Sequence, residues 1–227
     1  MLDYASGTAT RTIATIPGIA QTPRVSPDGK RIALLVTLGA EKEAGATQPG
    51  VRMIGEIGEK NDEQRLAVFD VASPSSTVTP LSPAGRYVYE YDWTPDGRGF
   101  VATTALGNGD NNWWVATLDA IDAQSGAVRS IAKPATQIKH PRVSPDGRTV
   151  AYIGGLMSDY GSIGGDVFTV PVAGGTPTNI TAGAKSTVTT LDWTAGGLRT
   201  VTLAGDATQF GTLVPGKPVA PGFAKSA

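Results

Sequence analysis

The chain alternates short apolar segments with turns rich in glycine and proline. Val, Ile, Thr and aromatic residues favour strands at 31–37 (RIALLVT), 99–105 (GFVATTA), 149–154 (TVAYIG) and 199–204 (RTVTLA). Further strands are predicted at 66–71, 113–118, 166–172 and 209–214, then at 77–81, 127–131 and 178–181, and also at 9–16. No segment longer than about ten residues holds a helical period outside 39–64, so the pattern predicts an all-β fold.

One turn sequence recurs along the chain. Residues 23–29 (PRVSPDG) return almost unchanged at 141–147, with variants at 91–97 (YDWTPDG) and 191–197 (LDWTAGG). The final glycines are spaced by 68, 50 and 50 residues, and the longer first interval contains an insertion. Proline fixes φ at about −65° and the closing glycine turns left-handed, so each copy predicts a hairpin. Four antiparallel strands per unit of this length are typical of a propeller blade.

The repeat therefore predicts a β-propeller of about four four-stranded antiparallel blades, in one domain and forming an incomplete ring. The predicted blades cover about 20–82, 87–132, 138–182 and 187–216, followed by a tail at 217–227. The fourth unit shows no clear fourth strand, and segment 9–16 is a candidate outer strand for a closing blade. Because an open blade exposes a pairing edge, this pattern favours a piece of a longer propeller.

Composition narrows the functional classes. With 19 basic and 20 acidic residues, the chain has a net charge of −1 and offers little attraction to nucleic acid or an anionic membrane. We therefore expect neither partner. The absence of cysteine excludes thiol catalysis, disulfides and cysteine-ligated zinc. No apolar segment approaches the roughly 20 residues of a membrane helix, and no signal-peptide pattern opens the chain.

The repeat unit resembles the TolB-like propeller repeat, including the segments 170–177 (VPVAGGTP) and 179–181 (NIT). More narrowly, residues 89–97 (YEYDWTPDG), 110–114 (DNNWW) and 157–166 (MSDYGSIGGD) resemble the N-terminal propeller of bacterial prolyl oligopeptidase family serine peptidases. The resemblance is to acylaminoacyl- and dipeptidyl-peptidase-like members, over residues 12–205. It implies a propeller that caps a catalytic α/β-hydrolase domain, missing from this chain, and a periplasmic location.

The sequence offers no catalytic triad. The string closest to a Gly-x-Ser-x-Gly elbow is 160–164 (YGSIG), where Tyr160 replaces the first glycine. His140 is the single histidine, and no nucleophile or orienting acid groups around it in sequence. We therefore expect no catalytic residue, metal or cofactor in this chain. The expected function is to gate peptide access to a hydrolase domain; the alternative is a stand-alone TolB-like protein-interaction module.

The long predicted loops, at 38–65, 106–112 and 155–165, converge on one face of a propeller. Loops held by a rigid scaffold commonly bind ligands, so we expect this long-loop face to meet a peptide substrate or the hydrolase domain. Resemblance to dipeptidyl peptidases implies that glutamates of the insertion bind a substrate ammonium group, the candidates being Glu41, Glu43, Glu56 and Glu59. The alternative is a solvated loop of mixed charge.

Two other features have structural interpretations. The oxygen-rich run 108–112, with Asp119, invites a calcium site but lacks the glycine and the bidentate glutamate of an EF-hand, which favours a plain turn. Trp113 and Trp114 are predicted to begin a strand and to pack into the core on its two faces.

Two pairs of residues occupy equivalent repeat positions. Trp93 and Trp193 are interpreted as packing residues, and Arg24 and Arg142 as surface or inter-blade partners.

Overall fold

The computed structural model describes residues 12, 14–40, 62–73, 77–107, 110–157 and 163–213. Within these residues the chain forms four antiparallel sheets that follow one another in chain order. The first contains β1 (Gly18–Val25), β2 (Arg31–Leu38) and β3 (Arg65–Asp70), and the second contains β4 (Arg86–Trp93), β5 (Gly99–Leu106), β6 (Thr117–Asp122) and β7 (Val128–Ala132). The third contains β8 (Gln137–Val143), β9 (Thr149–Gly155), β10 (Asp166–Pro171) and β11 (Thr178–Asn179), and the fourth contains β12 (Thr187–Thr194), β13 (Gly197–Ala204) and β14 (Ala207–Leu213).

This architecture confirms the predicted all-β propeller fold. Apart from a short 3-10 helix, Asp110–Val115, the described part of the chain contains strands and turns only. The predicted blade bounds stay a prediction, and the tail at 217–227 lies outside the described residues, as do residues 9–11 and 13 of the predicted strand 9–16.

The repeated turn joins the first and second strands of each sheet. In the first copy a carboxylate oxygen of Asp28 accepts the Ser26 hydroxyl at 2.5 Å and the backbone N–H of Lys30 at 3.1 Å. The next two copies repeat these bonds around Asp96 and Asp146. The closing glycine of the first copy, Gly29, has φ of 73°, a region that side chains rarely occupy. The fourth copy lacks the aspartate, and its strands pair directly from Thr194 to Gly197.

Every first strand carries an irregularity within the four residues that precede the position of Arg24 or its equivalent. The register shifts lie between Gln21 and Arg24, Val88 and Glu90, Lys139 and Arg142, and Val188 and Thr190. Thr22 and His140, each followed by proline, have φ of 53° at this point. Such a bulge re-aims side chains. Here it precedes the row of charged residues described below.

The core lies between consecutive sheets. One apolar cluster joins the first and second sheets, with Leu35 and Leu66 against Val88, Tyr91 and Phe100. A second joins the second and third sheets through Leu118, Ile138 and Val150, among others. A third joins the third and fourth sheets through Ile153, Val167, Leu191 and Leu198. The sheets therefore pack face to face, as propeller blades do.

Two predicted strands are wrong in detail. Residues 113–115 belong to the 3-10 helix, and the strand of this unit begins at Thr117. Trp113 is 1% exposed, as expected for the core, but Trp114 is 44% exposed. In a helical turn, adjacent side chains do not point to opposite faces as they do in a strand, so the two tryptophans are not both placed in the core. The predicted strand 77–81 is reduced to a single bridge between Ala67 and Pro80.

Candidate functional site

The four first strands present alternating charges at one repeat position, occupied by Arg24, Asp92, Arg142 and Asp192. Arg24 Nη1 lies 3.8 Å from Asp92 Oδ1 across the boundary between the first and second sheets. The other oxygen of Asp92 accepts the backbone N–H of Val143, on the third sheet, at 3.2 Å. Asp92 therefore links the sheets on both sides of its own. Burial raises the pKa of Asp92, and the Arg142 guanidinium partly opposes this shift.

The tryptophans that follow these aspartates link the same sheets. The indole N–H of Trp93 donates to the carbonyl oxygen of Arg24 at 3.1 Å, and that of Trp193 donates to the carbonyl oxygen of Arg142 at 3.2 Å. Trp93 is 6% exposed, and Trp193 is partly buried against the cluster between the third and fourth sheets. The interpretation of both residues as packing residues is confirmed, and each also carries a hydrogen bond between sheets.

A buried ion pair also joins the second and third sheets. Lys139 Nζ lies 3.3 Å from Glu90 Oε1, and the other carboxylate oxygen accepts the backbone N–H of His140 at 2.5 Å. Glu90 therefore binds the third sheet at two points. Burial lowers the pKa of Lys139, while the Glu90 carboxylate opposes the shift.

His140 is held among cations rather than beside a nucleophile. Its Nδ1 lies 3.2 Å from Arg142 Nη2. Burial lowers the pKa of His140; Glu90 opposes the shift, and Arg142, Lys139 and Arg24 add to it. The neutral imidazole therefore predominates at neutral pH. Within the described residues, no hydroxyl group is hydrogen-bonded to the His140 ring.

We call Arg24, Glu90, Asp92, Lys139, His140, Arg142 and Asp192 the first-strand charge cluster. The buried Nε of Arg24 has no hydrogen-bond partner in the described part of the structure. The Arg24 and Asp92 side chains are 31% and 21% exposed, so a ligand can reach both. Alternating cations and carboxylates on neighbouring strands can bind a ligand that carries both charges, as a peptide does.

A cleft of about 770 Å³ lies between the second and third sheets, at the Pro-Asp-Gly turns. Several of its charged groups already have partners within the protein. Asp122 accepts the Ser125 hydroxyl at 2.8 Å, and Arg129 donates to the carbonyl oxygens of Val172 and Ala173. Because these groups are satisfied, the cleft is a weaker candidate than the charge cluster.

The long-loop face is described in part. Leu106 and Leu156, at equivalent ends of the second strands, are 70% and 88% exposed, and Val115 beside Trp114 is 71% exposed. These four residues form what we call the apolar rim. The glutamates predicted to bind a substrate ammonium group, Glu41, Glu43, Glu56 and Glu59, lie outside the described residues, so that site stays a prediction.

No group of three His, Cys, Asp or Glu side chains that could hold a metal occurs in the described ranges. Asp119, considered for calcium, is 2% exposed; it accepts Arg86 Nη1 at 3.0 Å and the Thr104 and Thr117 hydroxyls. All three contacts are made by Oδ2 of Asp119. Asn108 lies outside the described residues. Across the same ranges, no helix has the length and apolar character needed to cross a membrane.

No protein-family model and no curated protein matches the sequence. Solved structures do match. An oligogalacturonate lyase in complex with manganese has a TM-score of 0.62 and 14% identity, covering 86% of this chain and 51% of that one. A puromycin hydrolase has a TM-score of 0.56 and 15% identity, covering 85% of this chain and 26% of that one. A putative TolB from Agrobacterium tumefaciens has a TM-score of 0.55 and 17% identity, covering 87% and 64%.

These likenesses show the fold alone. The chain has a TolB-like propeller fold that also occurs in a puromycin hydrolase. It spans about a quarter of that hydrolase and less than two thirds of each protein it was compared with above.

Proposed function

We propose that this chain is the non-catalytic propeller region of a prolyl oligopeptidase-like serine peptidase, where it packs on a hydrolase domain and gates peptide access. The observation that carries the proposal is the apolar rim, in which Leu106 and Leu156 are 70% and 88% exposed at one end of the sheets. Clustered exposed apolar side chains mark contacts with another protein or domain. The fold likeness to puromycin hydrolase supports the same interpretation.

Gating needs a rigid opening rather than chemistry. Asp92, Trp93 and Glu90 bond across sheet boundaries and hold the first strands together. A rigid opening admits extended peptides and excludes folded proteins by size. The partly exposed charges of Arg24 and Asp92 supply weak contacts for a passing peptide.

The test begins with the native protein, isolated from its source cells with an antibody against this chain. A fluorophosphonate probe, which labels activated serines, is expected to label a polypeptide that contains this chain, at a serine outside residues 1–227. The 227-residue chain alone is expected to stay unlabelled and to leave aminoacyl- and dipeptidyl-fluorophores intact. Labelling within the chain, or an unlabelled native protein, contradicts the proposal.

Gating has its own readout in the labelled protein. Trp93→Ala removes the indole that crosses the boundary between the first two sheets. We expect the preference of the variant for short over long peptides to fall, while its kcat/KM for a dipeptide substrate is unchanged. Phe210→Ala, which removes an exposed aromatic side chain outside the apolar rim, is the matched control for the opening.

A stand-alone TolB-like interaction module is the second candidate, favoured by the same apolar rim and by the fold likeness to a putative TolB. In that case the native protein stays unlabelled, and Leu156→Glu weakens binding of its protein partner.

A further inference from the structure

Arg142 is the one cation of the first-strand charge cluster that lacks an ion pair among the described residues. Arg24 Nη1 and Lys139 Nζ lie 3.8 and 3.3 Å from carboxylate oxygens of the second sheet. No carboxylate oxygen of the described residues lies within 4.0 Å of the Arg142 guanidinium, although the residue is only partly exposed. A partly buried charge without a counter-ion is unfavourable, so a bound anion would stabilise it.

The bonds that Arg142 does make are to neutral groups of its own strand. Nη1 donates to the carbonyl oxygen of Pro141 at 2.8 Å, and Nη2 lies 3.2 Å from Nδ1 of His140. A guanidinium can only donate, so Nδ1 is the acceptor and the neutral imidazole carries its proton on Nε2. Nε2–H of His140 and the remaining N–H groups of Arg142 therefore belong to two side chains in contact, and they have no acceptors among the described residues.

Neighbouring sheets hold this part of β8 on both sides. Glu90 of the second sheet accepts the backbone N–H of His140 at 2.5 Å. Trp193 of the fourth sheet donates to the carbonyl oxygen of Arg142 at 3.2 Å. The two side chains therefore extend from a backbone that is fixed before any ligand binds, which lowers the entropy cost of binding.

We propose that His140 and Arg142 form a binding site for a carboxylate group, in which Nε2–H of the imidazole and the guanidinium donate to its oxygens. The charges nearby favour a carboxylate over phosphate. Glu90 and Asp92 act on the Arg142 charge from the second sheet, and Asp192 acts on it from the fourth. These three carboxylates repel a doubly charged phosphate more than a singly charged carboxylate.

Positive charge converges on the imidazole. Burial lowers the pKa of His140, Glu90 opposes the shift, and three cations lower the pKa further, namely Arg142, Lys139 and Arg24. This charge attracts a carboxylate, whether it is the C terminus of a peptide or part of a small organic acid. The site stands on contacts within and beside the third sheet, so it is independent of the peptidase proposal.

The first test uses the ring nitrogen resonances of His140, the single histidine of the chain. In the full 227-residue chain labelled with 15N-histidine, these resonances identify the protonated nitrogen, and we expect the Nε2–H form at mildly alkaline pH. N-acetylglycine at constant ionic strength should shift the ring resonances to saturation, whereas N-acetylglycinamide, which lacks the charge, should leave them unchanged. An Nδ1–H imidazole, or equal responses to the acid and the amide, overturns the proposal.

Two further ligands test the class and the source of the anion under the same conditions. Inorganic phosphate should bind more weakly than N-acetylglycine, and phosphate binding that is as tight overturns the choice of a carboxylate. Acetate separates the two sources. Acetate binding as tight as that of N-acetylglycine supports a small organic acid, whereas tighter binding of N-acetylglycine supports a peptide C terminus.

The second test removes the guanidinium. Arg142→Gln should weaken binding of N-acetylglycine by about tenfold or more, because a charge-assisted hydrogen bond is lost. Arg148→Gln, the matched control, removes an exposed arginine next to the Pro-Asp-Gly turn of the same sheet and should leave binding unchanged. Urea denaturation checks that each variant folds. If Arg142→Gln does not fold, Arg142→Lys, which keeps the charge but loses the planar donors, takes its place and should also bind more weakly. Unchanged binding in a folded variant of Arg142 overturns the proposal.

Discussion

The Lys139 ammonium lies 3.3 Å from the Glu90 carboxylate on the neighbouring sheet, and the Lys139 side chain is 3% exposed. Glu90→Gln leaves this buried ammonium without its carboxylate, and we expect a loss of about 2–3 kcal/mol of unfolding free energy. Urea denaturation measures it. Glu63→Gln, the matched control, removes a carboxylate 4.0 Å from the more exposed Arg65 and should cost less than about 1 kcal/mol. Equal losses in the two variants would contradict this ranking.

His140 is the single histidine of the chain, and its titration makes the free energy of unfolding depend on pH. Burial lowers its pKa in the folded state below the ordinary value of 6.5. The unfolded chain therefore binds the proton more readily, so the stabilisation is present above pH 6.5 and is lost as pH falls from there through the folded pKa. We expect the wild-type free energy of unfolding to decrease over this range. His140→Asn, which tolerates φ of 53°, should remove that slope. The same slope in the variant would show that another group titrates.

Gly126 and Gly29 separate steric clash from backbone strain. Their φ angles, 71° and 73°, are nearly the same, but a Cβ on Gly126 would lie 2.0 Å from the carbonyl oxygen of Leu81, and one on Gly29 would meet nothing within 4 Å. We expect Gly29→Ala to cost about 1 kcal/mol, from backbone strain alone. Gly126→Ala should cost at least about 2 kcal/mol more, because backbone must move. Thermal and urea denaturation measure the loss of stability in each variant. Equal losses would show that the contact with the Leu81 carbonyl oxygen does not destabilise Gly126→Ala.

The repeat made the fold predictable. Pro-Asp-Gly turns fix where a strand ends and the next begins, so the bounds predicted for β5 and β9 agree with the structure to within one residue. The strand predicted at 113–118 failed because Trp, Val and Thr favour strands locally, while packing of Trp113 in the core holds this segment as a 3-10 helix.

Only part of the first-strand charge cluster could be predicted from the sequence. Arg24 and Arg142 were predicted as surface or inter-blade partners, but Asp92 and Asp192, which alternate with them at the same repeat position, were not recognised, although this alternation is a signal for pairing between sheets. Nothing local pointed to Glu90 and Lys139, since their contact spans two sheets and depends on the bulges that re-aim them. Burial of a charge is a property of packing, which spacing along the chain does not encode.

Trp113 joins three sheets, so its removal should damage the fold far more than removal of its neighbour. It packs in one cluster with Tyr89 of the second sheet, Ile153 of the third and Leu191 of the fourth. We expect Trp113→Ala to cost about 3–5 kcal/mol, because the cavity opens where these sheets meet. Trp114→Ala removes a side chain that is 44% exposed and should cost no more than about 1 kcal/mol. Urea denaturation distinguishes the two. If Trp114 were instead in the core, as a strand would place it, the two losses would be comparable.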